Sequence, residues 1–155
     1  MGSNTLIHNR KARHDFTILE TLEAGLVLKG TEVKSIRAHK AHLDESFGFV
    51  EKGEIFLFNF HVDPYEFGNR ENHDPLRKKK LLLHASEIER LAAQVTQKGL
   101  TLVPLKMYLK EGRIKVELAL AKGKQQADKR EDLKKREAHR EAQAAMKARF
   151  KSLKV

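Results

Sequence analysis

Cysteine and tryptophan are absent from this chain of 155 residues, proline occurs three times, and aromatic residues make up only 6%. Without cysteine there is no disulfide framework, no thiolate zinc site and no cysteine nucleophile. No apolar run approaches the ~20 residues of a membrane span, and the first residues lack the apolar stretch of a signal peptide. We therefore expect a cytoplasmic protein with an ordinary hydrophobic core.

Motifs of the common enzyme classes are also missing. The sequence has no GxSxG, Walker A or GxGxxG pattern, so a serine hydrolase, a P-loop NTPase and a dinucleotide enzyme lack support. Eight histidines raise the question of a metal site. HExxH is absent, however, and His39 and His42 have no carboxylate or third histidine at a recognised ligand spacing. We expect surface histidines, no cofactor, no metal, no small-molecule substrate and no enzymatic activity.

Positive charge is abundant and unevenly distributed. The 31 Lys and Arg outnumber the 21 Asp and Glu, which gives a net charge of +10. Residues 122–155 hold 12 basic and 5 acidic residues, so most of the excess lies in the last part of the chain. This balance indicates a polyanionic partner, most often a nucleic acid. Basic clusters at 9–14, 77–80 and 122–124 are candidates for phosphate contacts.

Residues 1–121 predict a mainly β domain. Apolar and polar residues alternate over 16–22, which is typical of a strand. Two hairpins are predicted around the glycines of Glu51–Glu54 and Lys110–Gly112. The nearly continuous apolar run at 55–60 predicts a strand that is covered on both faces.

Two short helices interrupt the predicted strands. One spans residues 30–39 with Thr31 as its cap. The other opens at Ser86 with a capping box and stops at Gly99. Five or six strands with flanking helices favour a closed antiparallel barrel of the OB-fold kind, since closure leaves no exposed sheet edge.

Residues 122–155 predict a basic, helix-prone C-terminal tail. Asp128 and Glu131 have capping-box spacing, and Glu131 with Lys135 forms an i,i+4 pair in the favourable order. Apolar residues are sparse there, so we expect the tail to be disordered alone and helical when bound to a charged groove.

Several long segments resemble the SsrA-binding protein (SmpB) family, the bacterial partner of transfer-messenger RNA (tmRNA). The resemblance implies an OB-fold barrel that binds the tRNA-like domain of tmRNA. It also implies delivery of that RNA to stalled ribosomes for trans-translation, in which the ribosome is rescued and the incomplete peptide is tagged. The matching segments are NRKARHDF (9–16), LEAGLVLKGTEVKSIRAHKA (22–41), PYEFGNRENHDPLRKKKLLLH (64–84), KGLTLVPLK (98–106), ALAKGK (119–124) and DKRE (128–131).

The resemblance implies that Glu23, Leu82 and His84 hold the tRNA-like domain. A carboxylate cannot pair with phosphate, so Glu23 is expected to accept hydrogen bonds from base edges or 2′-hydroxyls, or to orient a neighbouring side chain. The other candidate tmRNA contacts lie within the matching segments: Asn9, Arg10, Arg13, His14, Lys34, Arg37, Lys40, Lys122, Gly123 and Lys124.

The resemblance further implies that the tail enters the empty mRNA channel of the ribosome, beside small-subunit rRNA at the decoding centre, and that a monomer binds each tmRNA. Directly before the DKRE segment (128–131) the family often has an aromatic or imidazole ring. This chain has Ala127 at that position. Stacking on a ribosomal base is then absent, or comes from another residue such as His139. The candidate tail contacts are Asp128, Lys129, Arg130, Lys134, Lys135 and Arg136.

Three other interpretations remain open at this point. A ribosomal or initiation-factor-like barrel would bind rRNA without tmRNA. A membrane-surface module would place its basic helix on anionic lipid. An RNA-modifying enzyme is the third, although the sequence offers no catalytic group for it.

Overall fold

The computed structural model describes residues 4–67, 72–124 and Arg140. The chain divides into two units, Met1–Gly123 and Lys124–Val155, and of the second unit only Lys124 and Arg140 are described. The described part of the first unit holds β1 (Thr5–His8), α1 (Ala12–Asp15), β2 (Phe16–Leu26), α2 (Gly30–Arg37), β3 (Ala41–His42), β4 (Phe47–Glu51), β5 (Glu54–Phe58), β6 (His61–Val62), β7 (Lys79–Leu82), α3 (Ala85–Lys98), β8 (Thr101–Lys110) and β9 (Arg113–Gly123). None of the described helices is long and apolar enough to cross a membrane.

Seven strands form one antiparallel sheet in the order β1-β8-β4-β5-β7-β2-β9. Strand β8 also pairs with β9 along its length, so the sheet closes into a barrel of six strands, with β1 attached to β8. Strands β4 and β8 meet at Gly48 and Leu102. A Cβ on Gly48 would lie 3.0 Å from the Cβ of Leu102, so this contact favours glycine. The predicted mainly β class and closed barrel are confirmed.

The core fills the inside of the barrel. Alternate residues of the strands point inward, and Leu57, Val116 and Leu118 are fully buried. Ile36 of α2 and Leu91 of α3 belong to the same cluster. The barrel and its two longer helices therefore share one hydrophobic core, as the period-2 patterns of the sequence indicate.

Strand β5 is not covered on both faces, so that prediction is wrong. Leu57 is fully buried, but Phe56 and Phe58 lie on the outer face and are only half-buried. The ring of Phe58 stacks on that of Phe47 with 5.6 Å between centroids, and Nζ of Lys78 lies 4.5 Å from the ring centre of Phe56. The apolar run therefore supplies an outer aromatic cluster as well as the core.

Both predicted hairpin turns are confirmed. Lys52 and Gly53 connect β4 to β5 with φ values of 49° and 76°, and Glu111 and Gly112 connect β8 to β9 with 52° and 74°. Two successive positive φ angles match the twist of antiparallel strands and favour glycine at the second position.

The first helix begins at residue 30 as predicted, but the predicted cap of each helix was off by two residues, and the first helix ends at Arg37 instead of at 39. In α2 the backbone N–H of Lys29 donates to Oε1 of Glu32 at 2.7 Å, whereas Oγ1 of Thr31 lies 2.9 Å from Nδ1 of His73 and does not cap the helix. In α3 the cap is His84, whose N–H donates to Glu87 at 3.2 Å. The predicted stop at Gly99 is confirmed by its φ of 62°.

A buried ion cluster joins α2 to the start of β7. The Glu32 side chain is fully buried, with Nη2 of Arg77 2.6 Å from Oε1 and Nε 3.2 Å from Oε2. Nζ of Lys79, also fully buried, lies 3.8 Å from Oε2 and donates to the carbonyl of Phe60 at 2.9 Å. Each charge in this cluster has a partner, as burial of charge requires.

The cluster shifts the pKa values of both buried groups. Burial alone would raise the pKa of Glu32, but hydrogen bonds from Arg77 and from the backbone of Lys29 hold it below its ordinary value. Burial lowers the pKa of Lys79 to about 8, against the opposing attraction of Glu32. Both pKa values are lowered, which favours the charged form of Glu32 but disfavours the charged form of Lys79. Arg77 provides most of the hydrogen bonding to Glu32, which leaves Lys79 with less compensation for its own desolvation.

We predict that Glu32→Gln lowers the free energy of unfolding by about 3 kcal/mol or more at neutral pH, because it leaves the buried Lys79 and the partly buried Arg77 without their counter-charge. Because the pKa of Glu32 is depressed in the folded state, its contribution is present above the ordinary value of 4.5 and is lost as the pH falls further. The difference between wild type and variant should therefore shrink below pH 4.5. Urea unfolding followed by circular dichroism measures both effects.

Glu54→Gln provides the control, since Glu54 pairs with Lys80 on the surface at 3.3 Å. This variant should lose at most about 1 kcal/mol. Equal losses for the two variants, or a Glu32→Gln deficit that persists in acid, would contradict the prediction.

Candidate nucleic-acid interface

The outer surface of strands β7, β2, β9 and β8 carries a cluster of polar side chains around Glu23. The hydroxyl of Tyr108 donates to Oε2 of Glu23 at 2.5 Å, and Nζ of Lys110 lies 3.3 Å from Oε1. Nζ of Lys106 lies 3.6 Å from Oε2 of Glu117 on the paired strand. We call this surface the Glu23 face, and it comprises Glu23, Leu82, Lys106, Tyr108, Lys110, Lys115 and Glu117.

Glu23 is held by its own neighbours. The hydrogen bond from Tyr108 is the main cause of the lowered pKa of Glu23, with Lys110 and Lys115 assisting. Burial and the same hydrogen bond raise the pKa of Tyr108. The tyrosine therefore keeps its proton and directs it at an ionised carboxylate. This geometry favours the predicted orienting role of Glu23, whose carboxylate fixes Tyr108 and Lys110.

Leu82 is an exposed leucine surrounded by cationic side chains. It is 51% exposed and pairs with Gly25 of β2, which in turn pairs with Lys115 of β9. A Cβ on Gly25 would lie 3.4 Å from the Cβ of Leu82 and 3.5 Å from Nζ of Lys115, so all three are close neighbours. Arg37 and Arg113 line the same cavity of about 310 Å³. The site offers an apolar contact ringed by three positive charges.

A second cleft adjoins the Glu23 face. It has a volume of about 430 Å³ and is lined in part by Arg10, Arg13, Lys106 and Glu117. Because Lys106 and Glu117 belong to both surfaces, the two form one continuous stripe. The structure thus brings together six of the predicted site residues, which are Asn9, Arg10, Arg13, Glu23, Arg37 and Leu82.

Asn9 lines the second cleft but is only 8% exposed. Its Nδ2 donates to the carbonyls of Pro104 and Leu43 at 2.9 and 3.3 Å, and its Oδ1 accepts the N–H of Ala12 at 3.1 Å. Asn9 therefore has a structural role in fixing the entry into α1, whatever it contributes to the cleft.

The remaining predicted residues fall into separate groups. Nζ of Lys34 lies 5.2 Å from the ring centre of Tyr65, and Lys40 lies 3.9 Å from Glu66, so both contact the segment after β6. His84 is exposed at the start of α3.

Several predicted residues meet where β2 begins. Strand β9 continues two residues past the predicted boundary at 121, and its Lys122 and Gly123 pair with Thr17 and Phe16 of β2. Nδ1 of His14 lies 3.0 Å from Oδ1 of Asp15, the residue before β2. Lys124 follows β9 in the sequence. The tail candidates 128–136, with Ala127 and His139, lie outside the described residues.

The basic run at 77–80 is engaged in ion pairs within the protein, and its Lys79 is fully buried and so cannot contact a phosphate. Arg77 and Lys79 are committed to the buried carboxylate of Glu32. Lys78 lies 2.9 Å from Glu51 and Lys80 3.3 Å from Glu54, on neighbouring strands. The run therefore stabilises the barrel, because each of its four charges has an acidic partner.

Sequence reasoning missed the cations of the β8–β9 hairpin. Lys106, Tyr108 and Lys110 occupy alternate positions of β8, and Lys115 lies opposite Tyr108 on β9. Alternation predicts that such residues share one outer face. The signal was therefore present in the sequence, but its meaning depends on β9 pairing with β2 and on β8 pairing with β9.

Comparison with known proteins identifies the family. The model of the SmpB protein family matches residues 6–148. The chain belongs to the SmpB family. An SsrA-binding protein of Geobacter metallireducens is 56% identical over 152 residues, which cover 98% of this chain and 99% of the relative. Another, from Desulforudis audaxviator, is 60% identical over 145 residues, 94% of this chain and 95% of the relative.

A solved structure supports both family and fold. A chain described as "tmRNA-SmpB: a journey to the center of the bacterial ribosome" matches with a TM-score of 0.66 and 54% sequence identity. The match covers 82% of this chain and 93% of that chain. The SmpB-family resemblance read from the sequence is therefore confirmed.

We predict that Tyr108→Phe raises the pKa of Glu23 towards the ordinary value of 4.5, because the variant lacks the main hydrogen bond to the carboxylate. A carboxyl-carbon NMR titration measures this directly. Tyr65→Phe, which alters the other of the two tyrosines, should leave the Glu23 titration unchanged. An unshifted Glu23 in Tyr108→Phe would show that Tyr108 does not hold the carboxylate.

Proposed function

We propose that this SmpB-family protein binds the tRNA-like domain of tmRNA with the stripe formed by the Glu23 face and the adjoining cleft. It delivers the RNA to stalled ribosomes for trans-translation, which rescues the ribosome and tags the incomplete peptide. The observation that carries this proposal is the exposed Leu82 with Arg37, Arg113 and Lys115 around one cavity. The relatives named as SsrA-binding proteins support the choice of RNA.

The chemistry of the stripe suits a folded RNA. Arg and Lys side chains neutralise phosphates at several points along the stripe. Leu82 packs against an exposed sugar or base, and Tyr108 presents a ring that Glu23 holds in position. Few aromatic rings lie on the Glu23 face, so recognition depends on RNA shape more than on stacking of many single-stranded bases.

The protein acts by binding alone. It catalyses no reaction and needs no cofactor for this role, and it works in the cytoplasm as a monomer on each tmRNA. The barrel, residues 1–121 with the end of β9, holds the RNA. The basic tail, including Asp128, Lys129 and Arg130, enters the empty mRNA channel beside small-subunit rRNA and reads the absence of a message.

We predict tight binding to the isolated tRNA-like domain of tmRNA that resists competition by ordinary tRNA. A binding titration at two salt concentrations tests this, and the salt slope reports the number of neutralised phosphates. Leu82→Ala should weaken binding about tenfold, which corresponds to roughly 1.4 kcal/mol of lost apolar contact.

Leu76→Ala is the matched control, because Leu76 is 54% exposed and Leu82 is 51% exposed. The control should bind as the wild type does. Equal, steeply salt-dependent binding to tmRNA and tRNA would instead favour a generic rRNA-binding barrel, and equal losses for both leucine variants would remove Leu82 from the site.

We predict that deletion of residues 128–155 leaves binding to the tRNA-like domain within a few-fold of wild type but abolishes peptide tagging on stalled ribosomes. The reason is that the barrel holds the RNA while the tail makes the ribosomal contacts. Binding assays and a reconstituted translation reaction with a message lacking a stop codon measure the two activities. Loss of tmRNA binding in the truncated protein would contradict this division.

A further inference from the structure

Two histidines and an aspartate meet on the small sheet formed by β3 and β6. His42 and His61 are direct partners across the two strands, and Asp63 follows His61 by two positions. One ligand atom from each of the three side chains lies within 4.8 Å of the other two. Within the described ranges this is the one such group of three or more metal-ligating side chains. The ligands come from distant parts of the sequence, so local spacing did not reveal them.

The backbone holds these three side chains on one side of the sheet. His61 and Asp63 flank Val62, which is fully buried, so alternation directs both away from the core. The N–H of Asp63 donates to the carbonyl of Lys40 at 3.0 Å, and that of Val62 donates to Pro75 at 2.9 Å. The site therefore rests on a fixed backbone, which is the condition for a preorganised ligand set.

His61 and Asp63 lie close together but share no directed hydrogen bond. Nδ1 of His61 lies 3.1 Å from Oδ1 of Asp63. This nitrogen is nevertheless shielded from solvent and has no directed hydrogen bond in the described part of the chain. The distance is short enough for a hydrogen bond, and none forms because an N–H on Nδ1 would not point at the carboxylate. In the tautomer with the proton on Nε2, Nδ1 and the carboxylate oxygen are two lone-pair donors that one metal ion can bridge.

The spacing also suits a metal ion. Bonds of about 2.0–2.2 Å from a tetrahedral zinc ion place neighbouring ligand atoms about 3.3–3.5 Å apart. The His61–Asp63 separation is already near that value, and small rotations of the exposed His42 ring, whose centroid lies 5.8 Å from that of His61, would complete the set.

We propose that His42, His61 and Asp63 bind one divalent transition-metal ion, with Zn²⁺ as the best chemical match. Imidazole nitrogens with one carboxylate favour zinc and its neighbours over Mg²⁺ and Ca²⁺, which prefer all-oxygen sites. Water takes the fourth position. Because β3 and β6 are strands of two residues each, the metal ties together a sheet that otherwise has little hydrogen bonding of its own.

Titration of the full-length chain, purified without a histidine tag, with Zn²⁺ in a calorimeter tests this site. We expect one equivalent to bind and to raise the melting temperature of the protein. His42→Asn, His61→Asn and Asp63→Asn should each weaken binding at least about tenfold, the loss that removal of even an outer-shell partner causes. Co²⁺ should give the visible absorption of a site with nitrogen and oxygen ligands.

His14→Asn is the matched control. His14 and Asp15 are 3.0 Å apart, much as His61 and Asp63 are, but they belong to no group of three ligands in the described residues. The control should keep full affinity for Zn²⁺. Retained binding in His61→Asn, or equal loss in His14→Asn, would overturn the proposal.

A second measurement uses the wild-type protein and therefore does not depend on whether the variants fold. The imidazole NMR signals of His42 and His61 should shift together and saturate at one equivalent of Zn²⁺, while the signal of His14 stays in place. Shifts spread over all histidines, or none at His42 and His61, would mean adventitious binding only and would overturn the assignment.

Discussion

The fully buried carboxylate of Glu32 is the interaction on which the rest of the described structure depends. An ionised carboxylate cannot remain in the core without hydrogen bonds and counter-charges, so Arg77 and Lys79 must lie beside it. This requirement fixes the start of β7 against α2. Strand β7 then lies between β5 and β2, and its alternation turns Lys79 inward and Leu82 outward. The buried ion cluster thereby determines where the exposed leucine of the proposed RNA surface lies.

Glu23 shows how a second carboxylate serves a different purpose at the surface. Its partners are a tyrosine hydroxyl and a lysine, and none of them is fully buried. Such contacts add little to folding in water. They do restrict the directions in which Tyr108 and Lys110 point, which is what a surface that reads RNA shape requires. The negative charge of Glu23 also lies between neighbouring cations. These cations can then contact different phosphates of the RNA.

The barrel could be predicted well because the sequence signals for its strands and turns are local. Alternation of apolar residues, glycines at both hairpin turns and the stop at Gly99 each follow from short-range geometry. The errors concern long-range partners. Nothing near 77–80 indicates that Arg77 and Lys79 belong to a glutamate 45 residues away from Arg77. In the same way, the burial of Asn9 depends on Pro104, and the meeting of His42 with His61 depends on the pairing of β3 with β6.

Net charge therefore identifies the class of partner but not the contact residues. The field that attracts a polyanion sums over all charges of the protein, and a cation paired with a surface glutamate still contributes to that sum. Contact requires cations on an accessible face, and the period of two in β2, β8 and β9 separates that face from the core. Inner and outer residues are largely independent of each other along these strands. Gly25 and Leu82 illustrate this on the outer face, where a Cβ on Gly25 would lie in van der Waals contact with Leu82 and with Nζ of Lys115. A substitution at Gly25 would therefore act on the proposed RNA contact directly.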